Sequence, residues 1–438
     1  MLDVPLDYSN PAGPHINVAL ERRPATDRRN RIGSLVLNPG GPGDSGILNF
    51  TRDLGLLPAG VLARFDVVAF DPRGVGESSP VHCVGDTYSG QTDPVPQTPA
   101  ARQALLASDR AYAASCLHGS GALLLGHVGT VDVARDMDQL RQAVGDARLS
   151  YLGLSYGTLL GATYAGMFPT HVRAMVLDGA LDPALSTEEL ATAQAVGFEQ
   201  ALHAFFAWCA TSPSSTCPWR PGGDPSSAYR ALAASVRDHP LPVGSRTVGP
   251  EEFYTGTFGS LYARSFWPSL ARALAGVSAG QGAAMLGLYN SYLRTGDPSF
   301  SGDANNAITC LDHPVPRDQA VYGDRASAAA ASAPDFGPLF AWGALVCAVW
   351  PVPDSALRPV GPVRAPGAPP ILVVGTTEDP ATPYRWAQSL VGQLPGSVLL
   401  TRVGQDHVAI FYSSCVRSWD ESYLVGLHVP PAGTVCAS

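Results

Sequence analysis

Gly153-Leu154-Ser155-Tyr156-Gly157 has the spacing G-x-S-x-G, directly after a short β-rich run and at the start of a helical one. In that context the glycines permit a tight turn that pushes a serine hydroxyl out from the carboxyl edge of a sheet, which makes Ser155 a candidate nucleophile. A serine hydroxyl attacks only when a base takes its proton, so a histidine must stand within reach and a carboxylate must orient it. In sheets that carry this turn the chain order is serine, then acid, then histidine. Of ten histidines, His313, His407 and His428 come late enough in the chain. His407 follows a late strand-like run in Val403-Gly404-Gln405-Asp406-His407, whereas His428 falls in a Pro-rich tail and reads as a surface residue. Gly375-Thr376-Thr377-Glu378-Asp379-Pro380 places two carboxylates after the preceding run, and Asp379 is the choice. Glu378 and Asp406 are the runners-up, and helix capping ahead of Pro380 and Pro383 is the competing role for Asp379.

Acyl transfer also needs donors for an oxyanion. Asn38-Pro39-Gly40-Gly41-Pro42-Gly43-Asp44-Ser45-Gly46 supplies a Gly-rich backbone after an early strand. Gly41 and Tyr156, the residue after the serine, are the expected N–H donors of an oxyanion hole. A phosphate-cradling loop is the weaker reading, because no G-K-[ST] is present.

These residues need a sheet to hold them. Ser34 to Asn38 and Phe65 to Phe70 read as buried strands, with His15 to Leu20 alternating weakly before them. Val133, Met137, Leu140 and Val144 recur at three and four between Thr130 and Val144, which predicts an amphipathic helix. A strand at Ser150 to Gly153, a helix from Thr158 to Met167 and a strand at Ala174 to Asp178 follow, then two more strands at Pro370 to Gly375 and Ser397 to Val403. Alternating β and α predicts an α/β fold with a mostly parallel sheet and helices on both faces. Residues 185–365 are Ala- and aromatic-rich, broken at Ser212 to Ser227, and read as an insertion between core segments 1–184 and 366–438. Within it Tyr254, Phe258, Tyr262 and Phe266 recur every fourth residue, as one face of a helix packed inside the insert.

Composition narrows the classes. The 438 residues are 45% hydrophobic and 15% charged, enough for a large core and unlike a disordered chain. A net charge of -9, with all 28 basic residues arginines and scattered, argues against nucleic-acid binding. No apolar run is long enough to span a bilayer, so membrane insertion is not expected. The eight cysteines show no C-x-x-C spacing, and proximity pairs Cys83 with Cys116, Cys209 with Cys217, Cys310 with Cys347, and Cys415 with Cys436. Such bonds imply an oxidising compartment. The start Met1-Leu2-Asp3-Val4-Pro5 has no basic or apolar leader, so two expectations stand: secretion or an envelope location after signal removal, or an intracellular protein with thiols.

Together these motifs, in order, resemble the serine α/β-hydrolases of the tripeptidyl aminopeptidase type, related to prolyl aminopeptidases. Val4-Pro5-Leu6-Asp7-Tyr8, Asn38 to Gly46, Asp71-Pro72-Arg73-Gly74-Val75-Gly76 and Gly153 to Gly157 carry the likeness in the first half. Asp178-Gly179, Ala307 to Asp312, Asp379-Pro380-Ala381-Thr382-Pro383 and Pro430 to Cys436 carry it onward, nearly end to end. The resemblance implies a helical cap over the site, Ser155, Asp379 and His407 as a triad, no cofactor or metal, secretion, and release of short peptides from free amino termini. Asp71 and Arg73 read as holding a turn. Asp44 stands where such proteins often have glycine; it, Glu188, Glu189 and Asp312 are candidates to hold a substrate ammonium. An esterase, thioesterase or lactonase with the same triad, acting on a small metabolite, is the alternative, favoured by the lack of a leader. A binding protein on a hydrolase scaffold that has lost catalysis is the third reading.

Overall fold

The computed structural model describes residues 1–85 and 92–437. Its strands are β1 (Leu2–Pro5), β2 (His15–Val18), β3 (Leu20–Arg23), β4 (Gly33–Asn38), β5 (Phe65–Phe70), β6 (Leu149–Leu154), β7 (Val172–Asp178), β8 (Leu241–Val243), β9 (Arg246–Val248), β10 (Leu372–Thr376), β11 (Val398–Arg402) and β12 (Val435–Cys436). Eight of them form one sheet in the order β12-β11-β10-β7-β6-β4-β5-β3. Every pairing from β12 to β5 is parallel, and only β3 runs antiparallel, against β5. The weakly alternating segment from His15 is therefore two strands: β2 pairs with β1, and the chain changes sheets at Ala19, whose N–H donates to Ser78 Oγ at 2.8 Å.

Strand period decides which side chains meet which layer. Val36 and Val68 enter one core with Val133, Met137, Leu140 and Leu160, under the helices Thr130–Ala143 and Tyr156–Met167. Their neighbours Leu35, Leu37 and Val67 enter the opposite core with Phe50, Val416 and Leu424. Both faces of the sheet are covered, so β4, β5 and β6 are buried along their whole length and read as unbroken apolar runs rather than alternating ones.

Between β7 and β10 the chain is mainly helical, beginning with Thr187–Thr211, whose Ser186 and Glu189 form a capping box. These helices have a core of their own, built on Phe198, Phe205, Phe206, Tyr229, Phe253 and Trp267. One expectation fails here. The helix that carries Tyr254 and Phe258 ends at Ser260, and a new one starts at Trp267 with Pro268 in its first turn. Tyr262 thus lies outside it, and Phe266 is 48% exposed instead of packed.

Arg73 holds the turn after β5. Its guanidinium is fully buried, forks onto Asp136 with two 2.6 Å bonds, and donates to the carbonyls of Pro5, Leu6 and His127. Arg73→Met leaves the Asp136 charge buried without its partner, so urea unfolding should show a loss of about 3–5 kcal/mol. A loss under about 1 kcal/mol would assign the pair no such role. Four disulfides join Cys83–Cys116, Cys209–Cys217, Cys310–Cys347 and Cys415–Cys436, the pairs expected from proximity. Among the described residues, no helix is long and apolar enough to cross a membrane.

Candidate active site

Ser155 occupies the turn between β6 and the helix Tyr156–Met167 with φ 54° and ψ -121°, a conformation that non-glycine residues rarely adopt. The flanking glycines are required by contact as well as by conformation. A Cβ on Gly153 would lie 2.3 Å from the Gly157 carbonyl oxygen, and one on Gly157 would lie 2.8 Å from that of Asn38. Ser155 N–H donates to the Asp178 carbonyl at 2.9 Å, and its own carbonyl accepts from Thr158 N–H at 2.8 Å and Thr158 Oγ1 at 2.6 Å. The turn is thereby held, and Ser155 stays half-exposed among buried neighbours.

Beyond the ends of β10 and β11, Asp379 and His407 meet. His407 Nδ1 lies 2.9 and 3.0 Å from the two Asp379 carboxylate oxygens. Asp379, 3% exposed, also accepts from Ala381 N–H at 2.9 Å, Thr382 N–H at 2.8 Å and Thr382 Oγ1 at 3.0 Å. A carboxylate given this many donors stays in place as an acceptor, and Nδ1–H of His407 donates to it, which puts the imidazole lone pair on Nε2. Thr382 Oγ1 lies 3.3 Å from Nδ1 as well, so it touches both partners. From the helical region, the Tyr262 carbonyl accepts the His407 N–H at 2.9 Å, and its ring packs edge-on against the imidazole at 5.5 Å. The runners-up turn elsewhere: Glu378 is exposed, and Asp406 pairs with Arg402 at 2.8 Å and accepts from Arg264 N–H. His428 is exposed.

The Gly-rich loop after β4 lies against this turn. Gly40, at φ 106°, leaves room where a Cβ would stand 3.0 Å from Ser155 Cβ and 3.4 Å from Tyr156 N. Its N–H is committed to Asn38 Oδ1 at 3.1 Å, which makes Gly41 the next amide along. Both sides of the molecule pin the loop. Ser45 Oγ donates to Asp71 at 2.6 Å, while Asn305 Nδ2 donates to the Pro42 carbonyl at 2.8 Å and Ser301 N–H to that of Gly43 at 2.9 Å. The Tyr156 side chain turns away to Thr130 Oγ1, leaving its backbone amide at the start of the helix beside Ser155.

Each carboxylate considered for an ammonium group already has a partner. Asp44 is paired with Arg294, and burial pushes its pKa up against the pull of that cation. Glu188 meets Arg325 at 2.9 Å, Glu189 closes the capping box, and Asp312, 1% exposed, accepts from Thr130 N–H at 2.9 Å. Burial pushes the Asp312 carboxyl up to about 7. Thr382, Tyr262 and Asp178 stand in runs that the sequence singled out, but their types and spacing gave them no role at this site. Thr382 had a signal, since it sits three residues past Asp379 ahead of Pro383; Tyr262 had none.

A family model described as alpha/beta hydrolase fold matches residues 33–413. The chain is 39% identical over 457 positions to Serine protease Hip1 of Mycobacterium tuberculosis, covering 99% of this chain and 86% of that protein. It is 38% identical over 458 positions to Carboxylesterase B of the same species, covering 100% and 85%. Tripeptidyl aminopeptidase of Streptomyces lividans is 32% identical over 448 positions, covering 99% and 82%. With a doubly covered parallel sheet and a strained serine after one of its central strands, the chain belongs to the alpha/beta hydrolase fold family.

Proposed function

We propose that this protein is a serine hydrolase that releases short peptides, tripeptides among them, from free amino termini. The observation that carries the mechanism is the Asp379–His407 pair, bonded at 2.9 Å beyond strand ends in the sheet that presents Ser155. His407 Nε2 takes the Ser155 proton as Oγ attacks the scissile carbonyl. The oxyanion of the tetrahedral intermediate accepts from the Gly41 and Tyr156 amides. As the C–N bond breaks, His407 returns the proton to the leaving amine. Water, deprotonated by His407, then attacks the acyl-serine ester; the Oγ–C bond breaks, Ser155 Oγ takes the proton back from His407, and the carboxylic acid is freed. We read residues 185–365 as the cap over this site, and 1–184 with 366–438 as the core. Four disulfides support an extracytoplasmic location.

Peptide preference is supported by the names of two relatives, a serine protease and a tripeptidyl aminopeptidase. The carboxylesterase relative favours ester hydrolysis as the second reading. Matched tripeptide chromogenic amides, free and acetylated at the amino terminus, separate the two when assayed beside simple esters. Acetylation should lower kcat/KM by on the order of a hundredfold or more, since it removes a charged hydrogen-bonding group that the site would bind. Equal turnover of both amides, or ester turnover alone, overturns the aminopeptidase reading and leaves the mechanism.

The loop is testable on its own. A Cβ at residue 40 would stand 2.6 Å from the Leu154 carbonyl oxygen, so Gly40→Ala must push the loop off the turn. Displacing an oxyanion donor costs about a hundredfold or more in kcat. Steady-state kinetics showing a kcat within about threefold of wild type would remove this loop from the mechanism.

A further inference from the structure

Two non-glycine residues beside the site hold positive φ: Ser155 at 54° and Val408, directly after His407, at 65°. For a β-branched residue this is a costly conformation, which persists only when its surroundings impose it. One residue restrains both turns. The Asp178 backbone carbonyl accepts Ser155 N–H at 2.9 Å, and its carboxylate accepts Ala409 N–H at 2.9 Å and Ile410 N–H at 2.8 Å. Those two amides open a short 3-10 turn, Ala409–Phe411, and the turn's own hydrogen bonds do not use them. The next residue, Gly179, underlies the imidazole: a Cβ there would lie 3.3 Å from His407 Cε1.

We propose that Asp178 is a positioning residue that fixes the distance and angle between Ser155 and His407 by clamping the strained turn that carries each. The inference rests on the serine mechanism above. Asp178 touches no substrate; it acts through the two turns. Its surroundings suit the task. Burial raises its carboxyl to about 6 while the two backbone donors oppose that rise, so near neutral pH it remains an ionised acceptor. Asp420, 1% exposed and within electrostatic reach, has both carboxyl oxygens buried without a hydrogen-bond partner among the described residues. Burial, chiefly, and the Asp178 charge push the Asp420 carboxyl well above the usual carboxylate range. The hydrogen bonds to the Asp178 carboxylate come from the amides of the histidine turn.

Asp178→Asn keeps the shape and one acceptor but turns an N–H2 donor toward a backbone N–H. A misplacement of about 1 Å between reacting groups costs on the order of a hundredfold, so kcat should fall by about that factor, with KM within about twofold because no substrate contact changes. Labelling of Ser155 by a fluorophosphonate should slow in parallel. Hydrogen exchange on wild-type protein gives a second measurement in case the variant does not fold, with strong protection expected at Ala409 and Ile410. A folded Asp178→Asn enzyme with wild-type kcat overturns the proposal, as does a loss confined to thermal stability, or fast exchange at residues 409 and 410. If wild-type Ser155 is not labelled at all, the serine mechanism has failed instead. Exchange at the two amides still reports on the clamp in that case.

Discussion

Ser155→Ala should lower kcat by about a millionfold while leaving the fold and the melting temperature close to wild type. The size of the effect follows from the reaction. Without Oγ no acyl-enzyme forms, and the remaining rate comes only from binding and the oxyanion donors. The fold should survive, because the turn is held by backbone bonds to Asp178 and Thr158 that alanine also makes. Two readouts make the result decisive. A fluorophosphonate should add its mass to the peptide containing Ser155 in the wild type and to nothing in the variant. Loss of activity should occur without any shift in the circular dichroism melt. A variant that keeps a tenth of wild-type turnover would end the serine mechanism, and an unlabelled but ligand-stabilised wild type would favour a scaffold that binds without reacting.

Asp379→Asn should cost about ten-thousandfold in kcat. His407 Nδ1–H now donates to a carboxylate; an asparagine that turns its N–H2 toward the ring forces the other tautomer and puts a proton on Nε2, where the base is needed. Burial sharpens the effect, since at 3% exposure water does not substitute for the lost charge. Glu378→Gln is the matched control. That side chain is exposed, one residue away, and should leave kcat within about twofold. Equal losses in the two variants would mean that the segment matters for folding and that neither carboxylate orients His407.

Much of this site was legible because its signals are local. G-x-S-x-G names a turn that only small neighbours allow, and the contacts of Gly153 and Gly157 show why no other residue fits. Pro370 to Gly375 and Ser397 to Val403 read as strands from their own composition; His407 is the first histidine beyond the second, and Asp379 is one of two adjacent carboxylates, with Glu378, beyond the first. The cysteine pairs were found by proximity alone, since each lies within 37 residues of its partner.

Other features failed to show because their causes lie far away in the chain. The aromatic repeat from Tyr254 to Phe266 has helical spacing, yet the helix stops at Ser260 and the next α-helix begins only at Trp267, with Pro268 in its first turn, so Tyr262 is delivered to His407 instead of to a helix face. Asp44, Glu188 and Asp312 have the charge to hold an ammonium, but their partners Arg294, Arg325 and Thr130 lie far away in the chain; only Glu189 had a local signal, the Ser186-x-x-Glu189 spacing of a capping box. Asp178 looked like the last residue of a strand. Its role depends on amides 231 and 232 residues further on.

The sequence by itself determined the alternation of strand and helix and the position of the tight turn at Ser155, because backbone conformation and hydrophobic period are properties of neighbouring residues. Only the tertiary structure decided which carboxylate faces His407, which glycine lies on the serine and which aspartate ties the two strained turns together. Those choices depend on burial and on hydrogen bonds between strand ends, and such bonds exist only after the sheet has closed and water has been removed from both its faces.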